Sequence, residues 1–176
     1  SEDEEVKRVL DELRKRLKES SDRLREVLKR DKRTLEKSSE DIDRALKKVE
    51  RALTEVLKEG KVDEEAVDRV LRDVRRLVRE HHELNRKLLE ESKKLVEDHH
   101  RLNEKLLRDV EELVRRREGD VKELLDTLRK LVEESEESLR EVVERLDKTS
   151  EDSKESLRRV IETLDRLVKD IDEKAK

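Results

Sequence analysis

A face with a residue every three or four positions extends along nearly the whole sequence; it consists mostly of leucine, valine and isoleucine, with polar residues at a few positions, and it is broken near Gly60 and Gly119. This spacing is typical of an α-helix with one apolar face and one charged face. The mean step along the apolar face of the first third lies between the value of a left-handed coiled coil, about 3.5 residues, and that of a straight helix, about 3.6. The pattern therefore predicts an all-α protein built from long, nearly straight helices.

The composition agrees with long helices. Charged residues make up 56% of the 176 positions and apolar residues 31%, and Phe, Trp, Tyr, Pro, Cys and Met are absent. Such a bias is typical of long helices and coiled coils. A disordered chain can be equally charged, but it lacks periodic apolar residues, so disorder is the weaker interpretation.

The two glycines divide the chain into three nearly equal pieces. A glycine just past the end of a helix allows the positive φ that often terminates it. We therefore expect helices over about 2–59, 63–117 and 120–174, each of about 55 residues. Because short connections make neighbouring helices antiparallel, the sequence predicts an up-down-up three-helix bundle that forms a single domain over residues 1–176.

The starts of the predicted helices carry capping signals. Ser1, Asp63 and Asp120 each place a side-chain acceptor just before a helix, where the first backbone N–H groups have no helical partner. Val62 and Val67 have the spacing of a hydrophobic staple around Asp63. Local signals and apolar periodicity thus predict the same boundaries.

Each predicted helix repeats its polar residues at an interval of eighteen, which is about five helical turns. The second helix contains His-His-x-Leu-Asn-x-Lys-Leu-Leu at residues 81–89 and again at 99–107. Folding the chain at its two turns brings the repeats of all three helices to the same two heights. One predicted polar layer holds Ser20, Ser21, His99, His100, Asn103, Ser135 and Ser138, and the other holds Ser38, Ser39, His81, His82, Asn85, Ser153 and Ser156.

These residue types can satisfy one another as hydrogen-bonding partners. Neutral imidazole and Asn each offer a donor and an acceptor, and a hydroxyl rotates to supply either role. A misaligned packing leaves buried polar groups without partners, so the layers favour one helix register. A slide of eighteen residues sets one layer against the other copy, and only the short turns oppose it. Asp31, Ser92 and Thr149 lie near mid-length, and their spacing is a weak signal for a third layer.

The repeated His-His-x-Leu-Asn segments, the paired serines, the capped turns and the Lys/Glu/Arg surface resemble de novo designed helical bundles with modular buried hydrogen-bond networks. The resemblance covers the whole chain. It implies a structural scaffold without evolved activity. Spectrin-like repeats share the topology, but they are shorter, and the core Trp that they typically carry is missing here.

Functional sites of other classes are disfavoured. The adjacent histidines lack the spacing of three or four that a helical metal site uses, so we expect neither a metal nor any other cofactor. Ser, His and Asp co-occur near Ser38, Ser39, Asp41 and His81, but a continuous helix has no free N–H groups for an oxyanion hole, so we expect no enzyme activity. With a net charge of −4 and interleaved signs, the surface does not favour nucleic acid or membranes.

Two alternatives stay open. Imidazoles kept neutral inside a bundle make stability fall in acid, as in a pH-responsive design. Alternatively, the chain is an assembly or cage module. We expect a monomer that needs no partner, although long helices can also exchange between two copies in a homodimer. We further expect a soluble protein, cytoplasmic on recombinant expression, because the sequence has no long apolar run and begins with an acidic segment.

Overall fold

Three long α-helices make up the protein. The computed structural model describes residues 2–116 and 120–175, which contain α1 (Glu2–Lys58), α2 (Glu64–Arg116) and α3 (Val121–Ala175). The helices have 57, 53 and 55 residues, and they pack against one another as an all-α three-helix bundle. The predicted fold class is therefore confirmed. The predicted boundaries agree to within one residue, except that residue 117 lies outside the described part.

Contacts between neighbouring helices run in opposite directions. Along α1, Arg14 pairs with Glu111 of α2 and Ser20 with His99, so the α2 partner moves backwards as α1 advances. Between α2 and α3, His99 contacts Ser138, and Asn103 contacts Ser135. Both neighbouring pairs are thus antiparallel, as the short connections predict.

The end of α1 shows why Gly60 is needed. Gly60 has a φ of 72°, a left-handed conformation that side chains with a Cβ rarely adopt. The N–H of Lys61 donates to the carbonyl of Val56 at 3.1 Å, and that of Gly60 donates to Leu57 at 3.1 Å. This pair of bonds satisfies carbonyls that the helix end leaves open. Gly119, the predicted second turn, lies outside the described residues.

Side-chain caps begin α2 and α3. Asp63 accepts a hydrogen bond from the backbone N–H of Ala66 at 2.7 Å, and Asp120 accepts one from Glu123 at 2.8 Å. Val62 packs against the core cluster that contains buried Val67. The predicted caps are confirmed at these two helices, and Val62 and Val67 belong to the same apolar cluster, which agrees with the staple predicted at α2. The predicted cap Ser1 lies outside the described residues.

Contacts within the chain group into two compact units. Unit 1 comprises Ser1–Arg30 and Glu91–Asp147, and unit 2 comprises Asp31–Glu90 and Lys148–Lys176. The single domain of the sequence analysis stays a prediction. Each unit takes segments from all three helices, so each has its own three-helix core.

Unit 1 contains two apolar clusters. The first includes Leu10, Leu13, Leu17, Val110 and Leu128, and the second includes Leu24, Val96, Val142 and Leu146. Between them along α1 lies buried Ser20, which is 8% exposed. The apolar interior of unit 1 is therefore interrupted at the height of the first predicted polar layer.

Unit 2 has one large apolar cluster, made of Ile42, Val49, Leu53, Val67, Val74, Val78 and Leu164. Ser38, just before this cluster along α1, is also buried. Asp31 and Thr149 of unit 2 and Ser92 of unit 1 are buried too, as their place on the inward faces suggests. The third polar layer itself stays a prediction.

Candidate functional site

Each unit contains one of the two predicted polar layers. We define layer 1 as Ser20, Ser21, His99, His100, Asn103, Ser135 and Ser138, all in unit 1, and layer 2 as Ser38, Ser39, His81, His82, Asn85, Ser153 and Ser156, all in unit 2. In both layers the first histidine, the asparagine and one serine from each of α1 and α3 are buried, whereas the remaining members are half-buried. The periodicity alone had not shown which histidine of each pair lies inside.

The inner histidine of layer 1 bridges two neighbouring helices. His99 is 1% exposed, and its Nε2 lies 2.8 Å from the hydroxyl of Ser20 on α1. Its Nδ1 lies 2.9 Å from the hydroxyl of Ser138 on α3. A single imidazole thus contacts both partner helices of α2 through its two ring nitrogens.

Layer 2 repeats this arrangement. His81 is 1% exposed, and its Nε2 lies 2.7 Å from the hydroxyl of Ser38 on α1. Its Nδ1 lies 2.8 Å from the hydroxyl of Ser156 on α3. His81 and His99, which are eighteen residues apart on α2, therefore have the same pair of serine contacts.

An asparagine completes each inner network. Asn85 lies one turn after His81, and its Nδ2 is 3.2 Å from the histidine Nε2. Ser153 of α3 donates its hydroxyl to Asn85 Oδ1 at 2.7 Å. In layer 1, Asn103 Nδ2 is 3.1 Å from His99 Nε2, and Ser135 donates to Asn103 Oδ1 at 2.7 Å. Each asparagine thus links the inner histidine to a second serine of α3.

The contacts of Asn85 fix the direction of the hydrogen bonds in layer 2. Asn85 Nδ2 donates to the backbone carbonyl of Leu35 at 3.3 Å, and a carbonyl oxygen can only accept. The two hydrogens of this NH₂ group are shared among Leu35, Ser39 and His81 Nε2, and a ring nitrogen without a proton avoids two donors facing each other at 3.2 Å. In this assignment Nε2 accepts from Ser38, its shorter contact, and Nδ1 carries the ring proton and donates to Ser156. The contacts of layer 2 thus favour a neutral His81 in this tautomer.

The outer histidines differ between the layers. His100 Nδ1 lies 3.0 Å from the hydroxyl of Ser21, inside layer 1. His82 instead places Nε2 2.8 Å from Asp43 Oδ1, a carboxylate outside the predicted layer. Ser39, the counterpart of Ser21, accepts from Asn85 Nδ2 at 3.2 Å. The outer part of the repeat is therefore rewired although its predicted members are the same.

Burial disfavours the charged form of the inner histidines. Desolvation, together with a smaller contribution from charge repulsion by His82, lowers the pKa of His81 from its ordinary 6.5 to about 4. Desolvation also lowers the pKa of His99, with a further contribution from His100. Burial therefore favours the neutral form of both inner histidines, which for His81 agrees with its hydrogen-bond contacts.

The pKa of His100 is lowered as well, by burial first and then by the positive charge of Arg25. Glu104, Asp22 and Glu97 act in the opposite direction. Arg25 and Asp22 are themselves an ion pair at 3.8 Å on the surface of α1. The outer histidine of layer 1 therefore lies in a mixed charged environment.

Thirteen of the fourteen predicted residues contact another member of their own layer, whereas His82 contacts Asp43 instead, and two partners, Asp43 and the Leu35 carbonyl, were missed. The carboxylate that contacts a histidine side chain of layer 2 is that of Asp43, which contacts His82. Asp41, which the sequence suggested as a neighbour of His81, pairs with Arg44 instead. Spacing offers a signal for Asp43, because it follows Ser39 by four residues on the same helical face. The backbone carbonyl of Leu35 has no sequence signal.

The polar groups of each layer bind one another rather than a ligand site. The hydroxyls of Ser38 and Ser156 contact the imidazole of His81 from opposite sides, which leaves both ring nitrogens occupied.

Within residues 2–116 and 120–175, no group of three or more His, Asp and Glu side chains is placed to hold a metal ion. Over the same residues, no helix is long and apolar enough to cross a membrane. Comparison of the sequence with protein-family models and with curated proteins found no match.

Proposed function

We propose that the chain is a structural scaffold in which the two polar layers specify helix pairing and register. The carrying observation is the double contact of each inner histidine. His81 contacts Ser38 of α1 and Ser156 of α3, and His99 contacts Ser20 and Ser138 in the same way. The hydrogen bonds of one imidazole therefore depend on the positions of both neighbouring helices.

The mechanism rests on the cost of unmade hydrogen bonds. A buried donor or acceptor without a partner costs about 1–3 kcal/mol, whereas a completed network is close to neutral for net stability. If either neighbour shifts against α2, His81 or Asn85 loses a partner in an apolar surrounding. The layers therefore disfavour wrong packings more than they stabilise the right one.

We further propose that this scaffold is a de novo design. The core contains Leu, Val and Ile without aromatic residues, which suits idealised straight helix packing. The helix ends combine a left-handed glycine with Asp caps, as design rules recommend. These features support the resemblance to designed bundles with modular hydrogen-bond networks.

Replacement of His99 by Leu tests the register role. The variant should stay helical, but Ser20, Ser138 and Asn103 lose their common partner, so several packings become similar in free energy. We expect extra peaks per residue in the amide NMR spectrum. Leu24→Val is the matched control, because it alters a fully buried side chain of unit 1 outside layer 1. It should lower stability by about 1 kcal/mol and keep one set of peaks. One sharp set of peaks for His99→Leu would contradict the proposal.

A second candidate function is a response to acid, which the acceptor role of His81 Nε2 favours. Protonation turns this nitrogen into a donor that faces the NH₂ group of Asn85 at 3.2 Å. Two donors then oppose each other in a buried site, so acid should break the network. The scaffold and the acid response share the same residues, and the titration described in the Discussion separates them.

A further inference from the structure

The proposed register function leaves one ambiguity. The serine pairs of α1 and the His-His-x-Leu-Asn segments of α2 both recur after eighteen residues. Suppose that α1 of one copy pairs with α2 of another copy after a shift of eighteen residues along the helices. Ser20 of the first copy then faces His81 of the second and can form the same hydrogen bond as with its native partner His99. The helix ends that the shift leaves unpaired can pair with further copies. The layers alone therefore do not exclude staggered pairing between chains.

Charges beside the layers distinguish the two registers. In unit 1, the edge of α1 that faces α2 is basic and the facing edge of α2 is acidic. Arg14 Nη2 contacts Glu111 Oε1 at 3.1 Å across this seam. Near layer 1, Arg25 lies four residues after Ser21, and Glu97 and Glu104 lie three residues before and four residues after its partner His100, so the three charges share the face of that contact. These three side chains, together with Asp22 of α1, are also the charges that act on the pKa of His100.

In unit 2 the signs are reversed. The α1 edge supplies Glu50, whose Oε1 lies 3.7 Å from Arg75 Nε of α2. It also supplies Asp43, which contacts His82 at 2.8 Å. The α1 edge is thus acidic at these two contacts, where the α2 edge presents Arg75 and His82.

The reversal follows the eighteen-residue repeat. On α1, Arg25 corresponds to Asp43, and on α2, Glu97 and Glu104 correspond to Arg79 and Arg86. Arg79 and Arg86 lie three residues before and four residues after His82, so they share its helical face. The inner residues of the layers are copied with the same identity, whereas these flanking charges are copied with the opposite sign.

We propose that this sign reversal along the α1–α2 seam prevents staggered pairing with a second copy of the chain. When Ser20 of one copy faces His81 of another, Arg25 meets Arg79 and Arg86 instead of Glu97 and Glu104. Arg14 meets Lys93 instead of Glu111. Like charges replace opposite charges at every one of these positions, and such contacts discriminate between partners even where each pair is weak. The flanking charges thus supply the register information that two identical layers lack.

The test needs a variant that removes the reversal near layer 2 and keeps opposite charges facing each other across the α1–α2 seam. Unit 2 receives the charges that unit 1 has at the same repeat positions. The variant is Asp43→Arg, Arg79→Glu, Glu83→Arg and Arg86→Glu. Its matched control keeps every sign and is Asp43→Glu, Arg79→Lys, Glu83→Asp and Arg86→Lys. Both proteins keep both layers and the whole core.

A cysteine pair reports the staggered register, because the chain has no cysteine of its own. Arg14 and Lys93 face each other only after a stagger of eighteen residues, and in the native register they are separated by about 27 Å along the helices. A disulfide needs Cα atoms within about 7 Å. Arg14→Cys with Lys93→Cys is therefore added to both proteins, which are refolded from denaturant at high concentration, oxidised and separated on a non-reducing gel.

We expect the sign-uniform variant to form on the order of ten times more disulfide-linked dimer than the control, because several exposed charge contacts act together. Equal amounts of dimer in two helical proteins would overturn the proposal. The native charges with the same cysteine pair give a second readout. Salt at about 1 M shortens the screening length to about 3 Å, so the linked dimer should increase. If the variant fails to fold, this salt response decides, and an unchanged dimer fraction refutes the proposal.

This inference rests on the proposed register function, but the experiment leaves the residues of both layers in place. A negative result would remove the role of the flanking charges and leave the layers as the source of register. If His99→Leu instead kept one sharp set of NMR peaks and the sign-uniform variant formed more disulfide-linked dimer than its control, register would be assigned to the charges of the α1–α2 seam alone. The two proposals therefore fail separately.

Discussion

Layer 1 and layer 2 have the same inner network and different outer contacts. His99 and His81 each bridge a serine of α1 and a serine of α3, with distances that agree to within about 0.1 Å. Their outer neighbours diverge, because His100 contacts the hydroxyl of Ser21, whereas His82 contacts the carboxylate of Asp43. The buried serine contacts of the inner histidines are thus the same in the two layers, whereas the contacts of the half-buried histidines differ.

The difference shows how surface charge can redirect a half-buried side chain. The position occupied by Asp43 in unit 2 is occupied by Arg25 in unit 1, and a cation there offers an imidazole no acceptor. His100 therefore uses the layer hydroxyl. In unit 2, the carboxylate takes His82 out of the layer, and Ser39 becomes available to Asn85. A single change of sign accounts for three altered contacts.

Acid should produce the largest effect and should act on both layers. The pKa of His81 is lowered to about 4 from 6.5, so the unfolded chain binds this proton first as the pH falls. Stability is fully present above about pH 6.5 and is lost down to about pH 4. The loss from His81 alone is roughly 3 kcal/mol. His99 contributes in the same direction, because its pKa is lowered too. Urea unfolding followed by circular dichroism across this range measures the loss.

The double variant His81→Leu, His99→Leu is the control for the acid titration. Carboxylates that titrate near the lower end of the range act equally in both proteins, so the difference between the curves isolates the inner histidines. The double variant should lose clearly less stability in acid. Single replacements then assign the loss to each layer. Unchanged unfolding free energy of the native protein between about pH 7 and about pH 5 would exclude the acid response.

Much of this site could be predicted from the sequence, because its inner members lie on helical faces fixed by a regular period. His99, Asn103, Ser20 and Ser135 needed only helix geometry and two short turns to be brought together. The Asp43 contact could not be predicted in the same way. Half-exposed side chains have several rotamers and neighbours, and their choice depends on charges from two helices at once.

The fold boundaries were equally accessible, because Gly60, Asp63 and Asp120 act within a few residues of their own positions. The grouping of contacts into two units was not. The helical period continues unchanged along each helix, so spacing alone does not mark where one set of contacts ends and the other begins, and the polar Asp31, Ser92 and Thr149 near these boundaries are only a weak signal.

Removal of the layer asparagines should give the next largest effect and should differ between the layers. Asn85→Ala leaves Ser153 without its acceptor and removes donors from the Leu35 carbonyl and Ser39. We expect a loss of about 2–3 kcal/mol in unfolding free energy. Asn103→Ala should cost about 1 kcal/mol less, because in layer 1 the outer serine is used by His100. Equal losses would mean that the two asparagines have equivalent contacts.

The outer serines allow a finer comparison. Ser21→Ala and Ser39→Ala should each cost about 1 kcal/mol or less, since both positions are half-buried. Their effects on the histidines should differ. Ser21→Ala should change the NMR signals of His100, whose Nδ1 loses its partner, whereas Ser39→Ala should leave those of His82 nearly unchanged. A large change at His82 would show that Asp43 is not its principal contact.

The smallest expected effect concerns Asp43 itself. Asp43→Asn keeps an oxygen that can accept from His82 but removes the negative charge. The side chains of His82 and Asp43 are 35% and 56% exposed, and exposed ion pairs contribute at most about 1 kcal/mol. We therefore expect Asp43→Asn to lower the unfolding free energy by about 0.5 kcal/mol or less. Asp43→Ala, which also removes the acceptor, should change the NMR signals of His82. Asp41→Ala is the matched control, because Asp41 pairs with Arg44, and it should leave those signals nearly unchanged. Unchanged His82 signals in Asp43→Ala would mean that the carboxylate does not hold His82, and the contrast between the layers would then have another origin.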